Sequence, residues 1–451
     1  MLIRHKFPVF TAIILAIIAI PFISSFASTS DASSGGPGLP PSTLLGVAVM
    51  LVVAKLGGEI LERVGQPAVL GELIGGIVLG NLVIFGFAGA ESLKTNETIA
   101  ALAELGVIIL LFEVGLESDL KEMMEVGWSS LLVAVLGVIA PFLLGWGVSA
   151  YFIPNEATLG HIFIGATLCA TSVGITARVF KDLGKLATRE ARIILGAAVI
   201  DDVLGLLILA VVAGSIRAAG TGMTLALLDI GLIAIKALVF LVLSILIGHF
   251  IMPKLLRGAG RFETRGVLLT LAVSFCFLLA WAASKVGLAP IVGAFAAGLI
   301  LDEVHYQPRG GRVERDLGDL LHPVSTVLVP IFFVLMGLKV DLRLFARVEI
   351  LAFALVLTLV AILGKQICAA GVVERGIDRL TIGLGMIPRG EVGLIFAGIG
   401  ATLMLPTATG SQEPVINSGT FSAVVIMVMI TTLVTPFALK WSLNRRKKGQ
   451  E

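Results

Sequence analysis

Charge is scarce in this chain of 451 residues: Asp, Glu, Lys and Arg make up only 14% of it, while 57% is hydrophobic. Soluble domains carry roughly a quarter charged residues, so an ordinary soluble protein is excluded. Histidine and cysteine are scarce too, with five and three copies. Cys169, Cys276 and Cys368 each fall inside an apolar stretch and have no metal-ligand spacing. They read as small core residues, which leaves no case for a soft or transition metal, a disulfide framework or a resident cofactor. The formal net charge of +2 says nothing useful about partners; what matters is where Lys and Arg lie, and no nucleic-acid partner is expected. What the chain does have is glycine, 52 of them, which suits closely packed membrane helices.

The first stretch reads as a targeting segment. Arg4 and Lys6 form a basic head, Phe7–Ile23 an apolar run, and Ser25-Phe26-Ala27 a small-residue cleavage site. Residues 1–27 are therefore expected to be a signal peptide, the other reading being an uncleaved first helix, and 28–41 an external linker. Apolar segments then recur at 42–64, 66–86, 98–116, 128–152, 158–180, 188–214, 224–251, 264–286, 288–303, 322–340, 349–372, 379–404 and 416–440. The expectation is an all-α polytopic membrane protein of about thirteen transmembrane helices over residues 42–440, with a short cytoplasmic tail at 441–451.

Arg and Lys placement gives the orientation. One set of connections holds Arg178, Lys181, Lys185, Arg189 and Arg192, then Lys254, Arg257, Arg261 and Arg265, then Arg309, Arg312 and Arg315, then Arg375 and Arg379. The opposite connections 153–157 and 405–415 have neither residue type, so the C-terminus is expected inside. The loop with Lys339, Arg343 and Arg347 is the exception.

The chain also repeats itself. LLFEVGLESDL (110–120) aligns with FFVLMGLKVDL (332–342), and VLGELIGGIVLG (69–80) with IVGAFAAGLILD (291–302). Gly115 falls on Gly337, Gly71 on Gly293 and Gly76 on Gly298, each with the same offset of 222. Repeat one spans about 42–214 and repeat two about 264–440. An odd number of helices between the copies predicts opposite orientations, the inverted repeat of secondary transporters.

Asp201 and Asp202 sit mid-way along the apolar run 193–212. Carboxylates in a bilayer core are costly and mark function by default. Successive helical residues point about 100° apart, so the two can face different partners. Lys365 lies about two-thirds along its own segment and is the natural counter-charge, with a snorkelling lysine as the bland alternative. Two segments look like broken helices: 165–178, where Thr171, Ser172, Gly174 and Thr176 crowd together, and 383–396, where Pro388 and Gly390 bracket Arg389 just before Glu391. Paired interruptions at matching places in two repeats point to a transport site. Arg389 and Glu391 suit the half-helix dipoles, or else form a structural local pair. Glu113 and Glu72 are either titrating groups or structural acids. The oxygens of the aspartates, Thr171, Ser172 and loosened backbone suit a hard monovalent cation.

At these residues the chain resembles the monovalent cation/proton antiporter superfamily, in its NapA-like and Kef-like branch. The matching stretches are VIDDVLGLLILA (199–210), GQPAVLGELIGGIVLGN (65–81), LLFEVGLESDL (110–120), CATSVGITARVFKDLG (169–184) and Gly364-Lys365. The resemblance implies an inverted-repeat fold with two crossing discontinuous helices, and a homodimer whose core domain moves in elevator-like alternating access. It implies that Asp202 is the main cation and proton carboxylate and that Asp201 pairs with Lys365 in the cation-free state. Thr171 and Ser172 would lie beside the ion, and Glu391 close by, with Na⁺ held at Asp202, Asp201 and Thr171. The aspartate–aspartate–lysine set is associated with electrogenic exchange. Glu113 departs from the family pattern as an extra titrating group. The short tail, without the regulatory domain of Kef-type systems, favours Na⁺ over K⁺. The expected home is an inner membrane of prokaryotic type or an energy-coupling membrane such as the thylakoid. A Kef-like K⁺/H⁺ antiporter is the first alternative reading, with a sodium-coupled solute symporter and a cation channel behind it.

Overall fold

In the computed structural model, described residues are 39–82, 89–117, 127–154, 156–185, 188–220, 227–259, 266–302, 317–406 and 412–445. The expected signal peptide, most of the linker, the tail after 445 and several basic connections lie outside them. In chain order the helices are α1 (Pro41–Arg63), α2 (Ala68–Asn81), α3 (Gly89–Lys94), α4 (Glu97–Leu116), α5 (Trp128–Phe152), α6 (Thr158–Thr167), α7 (Val173–Asp182) and α8 (Arg189–Gly220). There follow α9 (Leu227–Ala259), α10 (Val267–Val286), α11 (Pro290–Asp302), α12 (Leu317–Leu338), α13 (Val348–Ile367), α14 (Arg379–Gly385), α15 (Gly390–Thr402) and α16 (Ser418–Arg445).

Among the described residues nine helices are long and apolar enough to cross a membrane, or ten if α14 and α15 form one bent span. Helices α2, α6 and α11 are apolar but shorter. At 1.5 Å per residue a helix of 14 residues, such as α2, reaches only about 21 Å, less than the roughly 30 Å of hydrocarbon. Every apolar segment read from the sequence contains helix, with ends that shift: α8 runs on to Gly220 and α9 to Ala259.

One small element adds to the all-helical architecture. Met404–Pro406 (β1) pairs antiparallel with Gln412–Pro414 (β2), so a small hairpin occupies what the sequence marked as a plain connection. Its residues carry too little alternation to distinguish a three-residue strand from a loop.

The chain divides into two compact units. One comprises residues up to Val107 with Val324–Phe345, the other Ile108–Pro323 and Ala346 onward. Glycines set the helix spacing in each. In the first unit α1 and α2 touch through bare backbone: a Cβ on Gly71 would lie 2.0 Å from the Gly57 carbonyl oxygen. There too a Cβ on Gly76 would lie 2.3 Å from the Val334 oxygen, and one on Gly337 2.2 Å from the Leu73 oxygen. In the second unit a Cβ on Gly293 would lie 2.1 Å from the Leu279 oxygen, one on Gly298 2.3 Å from the Phe112 oxygen, and one on Gly115 2.3 Å from the Phe295 oxygen. Each of these contacts becomes one from the other unit when its residue numbers shift by 222. Gly106 meets its own counterpart, since a Cβ there would lie 2.4 Å from the Leu328 oxygen. Small residues that let backbones touch are the usual means of packing helices where lipid gives no hydrophobic drive.

Candidate functional site

All the parts of the site described next belong to the second unit. Helix α8 carries Asp201 and Asp202. Asp201 is fully buried and accepts from the Lys365 ammonium of α13, with Nζ 3.0 Å from Oδ1 and both side chains at 0% exposure. Helix α13 comes this close to α5 because Gly364 lies against Pro141, where a Cβ would be 2.9 Å from the proline Cα. Asp202, one residue on, is only half-buried, and no hydrogen bond or ion pair to it is present among the described residues. The 100° step along α8 thus separates a dry, paired carboxylate from a more open one.

The two interruptions come together. Helices α6 and α7 are separated by residues 168–172, and α14 and α15 by residues 386–389 with a bend of 46°. Pro388 brings no N–H, and Gly390 takes a positive φ of 37°, a backbone region that favours glycine. The Ser172 N–H donates to the Pro388 carbonyl at 2.8 Å. A Cβ on Gly390 would lie 2.5 Å from the Ser172 side chain, so only glycine fits at this contact. The Thr176 hydroxyl donates to the Gly385 carbonyl at 2.6 Å, and the Gly390 N–H to Thr432 Oγ1 at 3.3 Å.

Charge at the breaks is exchanged between them. The Arg389 guanidinium, fully buried, donates to the carbonyls of Ala170 at 2.8 Å and Cys169 at 3.3 Å, and to that of Ala361 in α13 at 3.2 Å. Glu391, in the first turn of α15, accepts from the Ser172 hydroxyl at 2.8 Å. A cation thus sits beyond the carbonyl end of α6 and an anion at the amide end of α15, both favourable against the helix dipoles. Among the described residues there is no ion pair between Arg389 and Glu391, so the local pair considered from sequence gives way to contacts across the two breaks.

Two buried oxygens here have no partner among the described residues: Asp201 Oδ2 and Thr171 Oγ1. Buried polar atoms are nearly always satisfied, so an exception asks for a reason. No group of three or more His, Cys, Asp or Glu residues able to hold a metal occurs among the described residues; the donors are carboxylate, hydroxyl and carbonyl oxygens. Glu113 lies half-buried near the end of α4, and Glu72 is buried in α2, in the first unit. Cys169, Cys276 and Cys368 are buried and free. Sequence reading missed Thr432 and Pro141. A threonine in an apolar helix carries no signal of its own, whereas a proline inside α5 is a visible anomaly.

The transmembrane sodium/hydrogen exchanger family matches residues 47–445. The chain is 40% identical to the high-affinity Na⁺/H⁺ antiporter NhaS3 of Synechocystis, covering 91% of this chain and 93% of that one. It is 35% identical to the Na⁺/H⁺-K⁺ antiporter GerN of Bacillus cereus, covering 90% and 97%. Among solved structures the sodium proton antiporter MjNhaP1 of Methanocaldococcus jannaschii superposes with a TM-score of 0.62 at 16% identity, over 89% of this chain and 99% of that one. That likeness shows the fold.

Proposed function

The chain belongs to the sodium/hydrogen exchanger family, and from that premise we propose that it is a secondary antiporter exchanging Na⁺ for H⁺ across a membrane, with Asp202 as the carboxylate both ions share. The observation that carries the assignment is the division of labour on α8. Asp201 is dry and neutralised by Lys365, while Asp202 is left half-open. Protonated Asp202 releases its proton on one side, and the carboxylate then takes Na⁺ with Asp201 Oδ2 and Thr171 Oγ1 as further oxygens. Ser172 and Glu391 border the ion, and Arg389 holds the backbone of the break in place. Lys365 lets go of Asp201 as the cation arrives. An empty, charged carboxylate resists crossing because of its desolvation cost, and that resistance couples the two fluxes.

Alternating access by an elevator-like movement of a core domain in a homodimer is the conformational part of this proposal. The reciprocal glycine contacts at offset 222 favour a pair of inverted repeats, the architecture that supports such exchange. We place the C-terminus on the cytoplasmic side, with residues 1–27 directing insertion, in an inner or energy-coupling membrane. Potassium exchange is the second reading, favoured by the resemblance to GerN. Everted vesicles carrying the full chain test the assignment: added Na⁺ should dissipate a preformed ΔpH, and Asp202→Asn should reduce the response at least a hundredfold. Wild-type exchange in a folded, inserted Asp202→Asn protein would sink it. Running the same assay with K⁺ separates the two cations.

A further inference from the structure

Lys365 raises a question the exchange cycle does not answer. An ammonium has three donors, and in this structure it makes one hydrogen bond to a described residue, at Asp201. Its side chain is fully buried, beside Cys368 and near the Arg389 cation, so an ammonium released there needs a second acceptor. Helix α5 has an unusual feature at this point. Pro141 lies inside it and has no N–H, so the carbonyl four residues earlier, on Gly137, loses its usual intrahelical donor. Gly137 is also where α5 meets the lysine: a Cβ there would lie 3.3 Å from Lys365 Nζ and 3.7 Å from its Cδ. Pro141 is the residue against which Gly364 packs, so positions 137 and 141 present one face of α5 to α13. Glycine and proline both weaken a helix interior, yet here they stand four apart and face the only lysine of α13.

We propose that the Gly137 carbonyl, freed by Pro141, is the second acceptor to which Lys365 swings when Asp201 turns to the cation. Gly137 and Pro141 are then positioning residues that stabilise the cation-loaded state, keeping the lysine charged and partnered rather than neutral. The inference rests on the reading of Asp201 and Asp202 as the cation carboxylates.

The test is Na⁺ binding to the purified full-length protein, read as the half-saturating Na⁺ concentration obtained from the dependence of thermal stabilisation on Na⁺. Pro141→Ala restores an N–H that occupies the Gly137 carbonyl and should raise that concentration about tenfold, the usual scale of one hydrogen bond to a charged group. Gly137→Ala crowds the approach and should act in the same direction, which keeps the test alive if Pro141→Ala fails to fold. In a Lys365→Ala background both shifts should vanish. An unchanged half-saturation in folded Pro141→Ala and Gly137→Ala, as expected if the lysine instead loses its proton, overturns the proposal. So does a shift of equal size without the lysine, which would make Pro141 a shaper of the helix only. Na⁺ stabilisation that survives Asp202→Asn marks a different failure, that of the carboxylate assignment beneath it.

Discussion

The two broken helices answer the same problem with opposite means. The break between α6 and α7 has, after Leu168, only the short side chains of Cys169, Ala170, Thr171 and Ser172, and it presents backbone carbonyls. The break between α14 and α15 supplies a proline, an arginine, a positive-φ glycine and a glutamate. Neither is self-sufficient. The first has acceptors and hydroxyls but no charge; the second has charge, and spends it on the first through Arg389 and Glu391. Interrupting a helix in an apolar medium strands polar backbone groups that water cannot reach, and here each break satisfies groups stranded by the other. Arg389 Nε and Thr171 are the exceptions. The Thr171 hydroxyl lies between a residue held by Arg389 and a residue held by Glu391, and is itself left without a partner among the described residues. The contacts on both sides hold the stretch of backbone that carries that oxygen.

This division can be broken from either side. Arg389→Ala should have the largest effect, because it strips donors from three carbonyls and empties a large buried volume. A loss of about 3–5 kcal/mol is expected, read as a collapse of the melting temperature and of membrane yield, with Arg389→Lys recovering only part of it. Gly390→Ala comes next, at about 2–4 kcal/mol, since the added methyl meets Ser172 and the backbone must hold a left-handed conformation. Pairing it with Ser172→Gly should recover the steric part only, which separates crowding from backbone strain. Ser172→Ala should cost least in stability, about 1–2 kcal/mol, because only the bond to Glu391 is lost. Its sharper signature belongs in transport: a several-fold higher Na⁺ requirement with a near-normal maximal rate. If Ser172→Ala destabilised the protein as much as Arg389→Ala, the contrast between a charge-supplying break and an acceptor-supplying break would be wrong.

Much of this site was legible in the residues. Asp201, Asp202 and Lys365 stand out because charge is so rare in the chain, and desolvation makes any such residue meaningful. The crowding of Thr171 and Ser172, and of Pro388 and Gly390, announced two interruptions through ordinary backbone preferences. Their reciprocal bonding was not legible. Arg389 reaches carbonyls about 220 positions away, and a carbonyl has no sequence signature, so a neighbouring glutamate looked like an equally good partner. The hairpin at Met404–Pro414 escaped for a different reason: two three-residue strands are held by each other rather than by any local pattern. Helix lengths were blurred where apolar runs continue past a helix end or stop short of a full crossing, as at α2 and α11.

The glycine seams carry a consequence for how variants of this protein should be compared. Gly76 and Gly298 occupy equivalent positions 222 residues apart, and each faces a carbonyl at 2.3 Å, on Val334 and Phe112 respectively. A methyl group added to either presents the same steric insult, so the pair forms an internal control built into one polypeptide. Should alanine at the two positions harm the protein unequally, the second contacts would account for the gap, Val334 backbone at Gly76 against Gly115 backbone at Gly298. The gap would then measure how readily each seam yields to an added methyl group, read within one chain under one set of conditions.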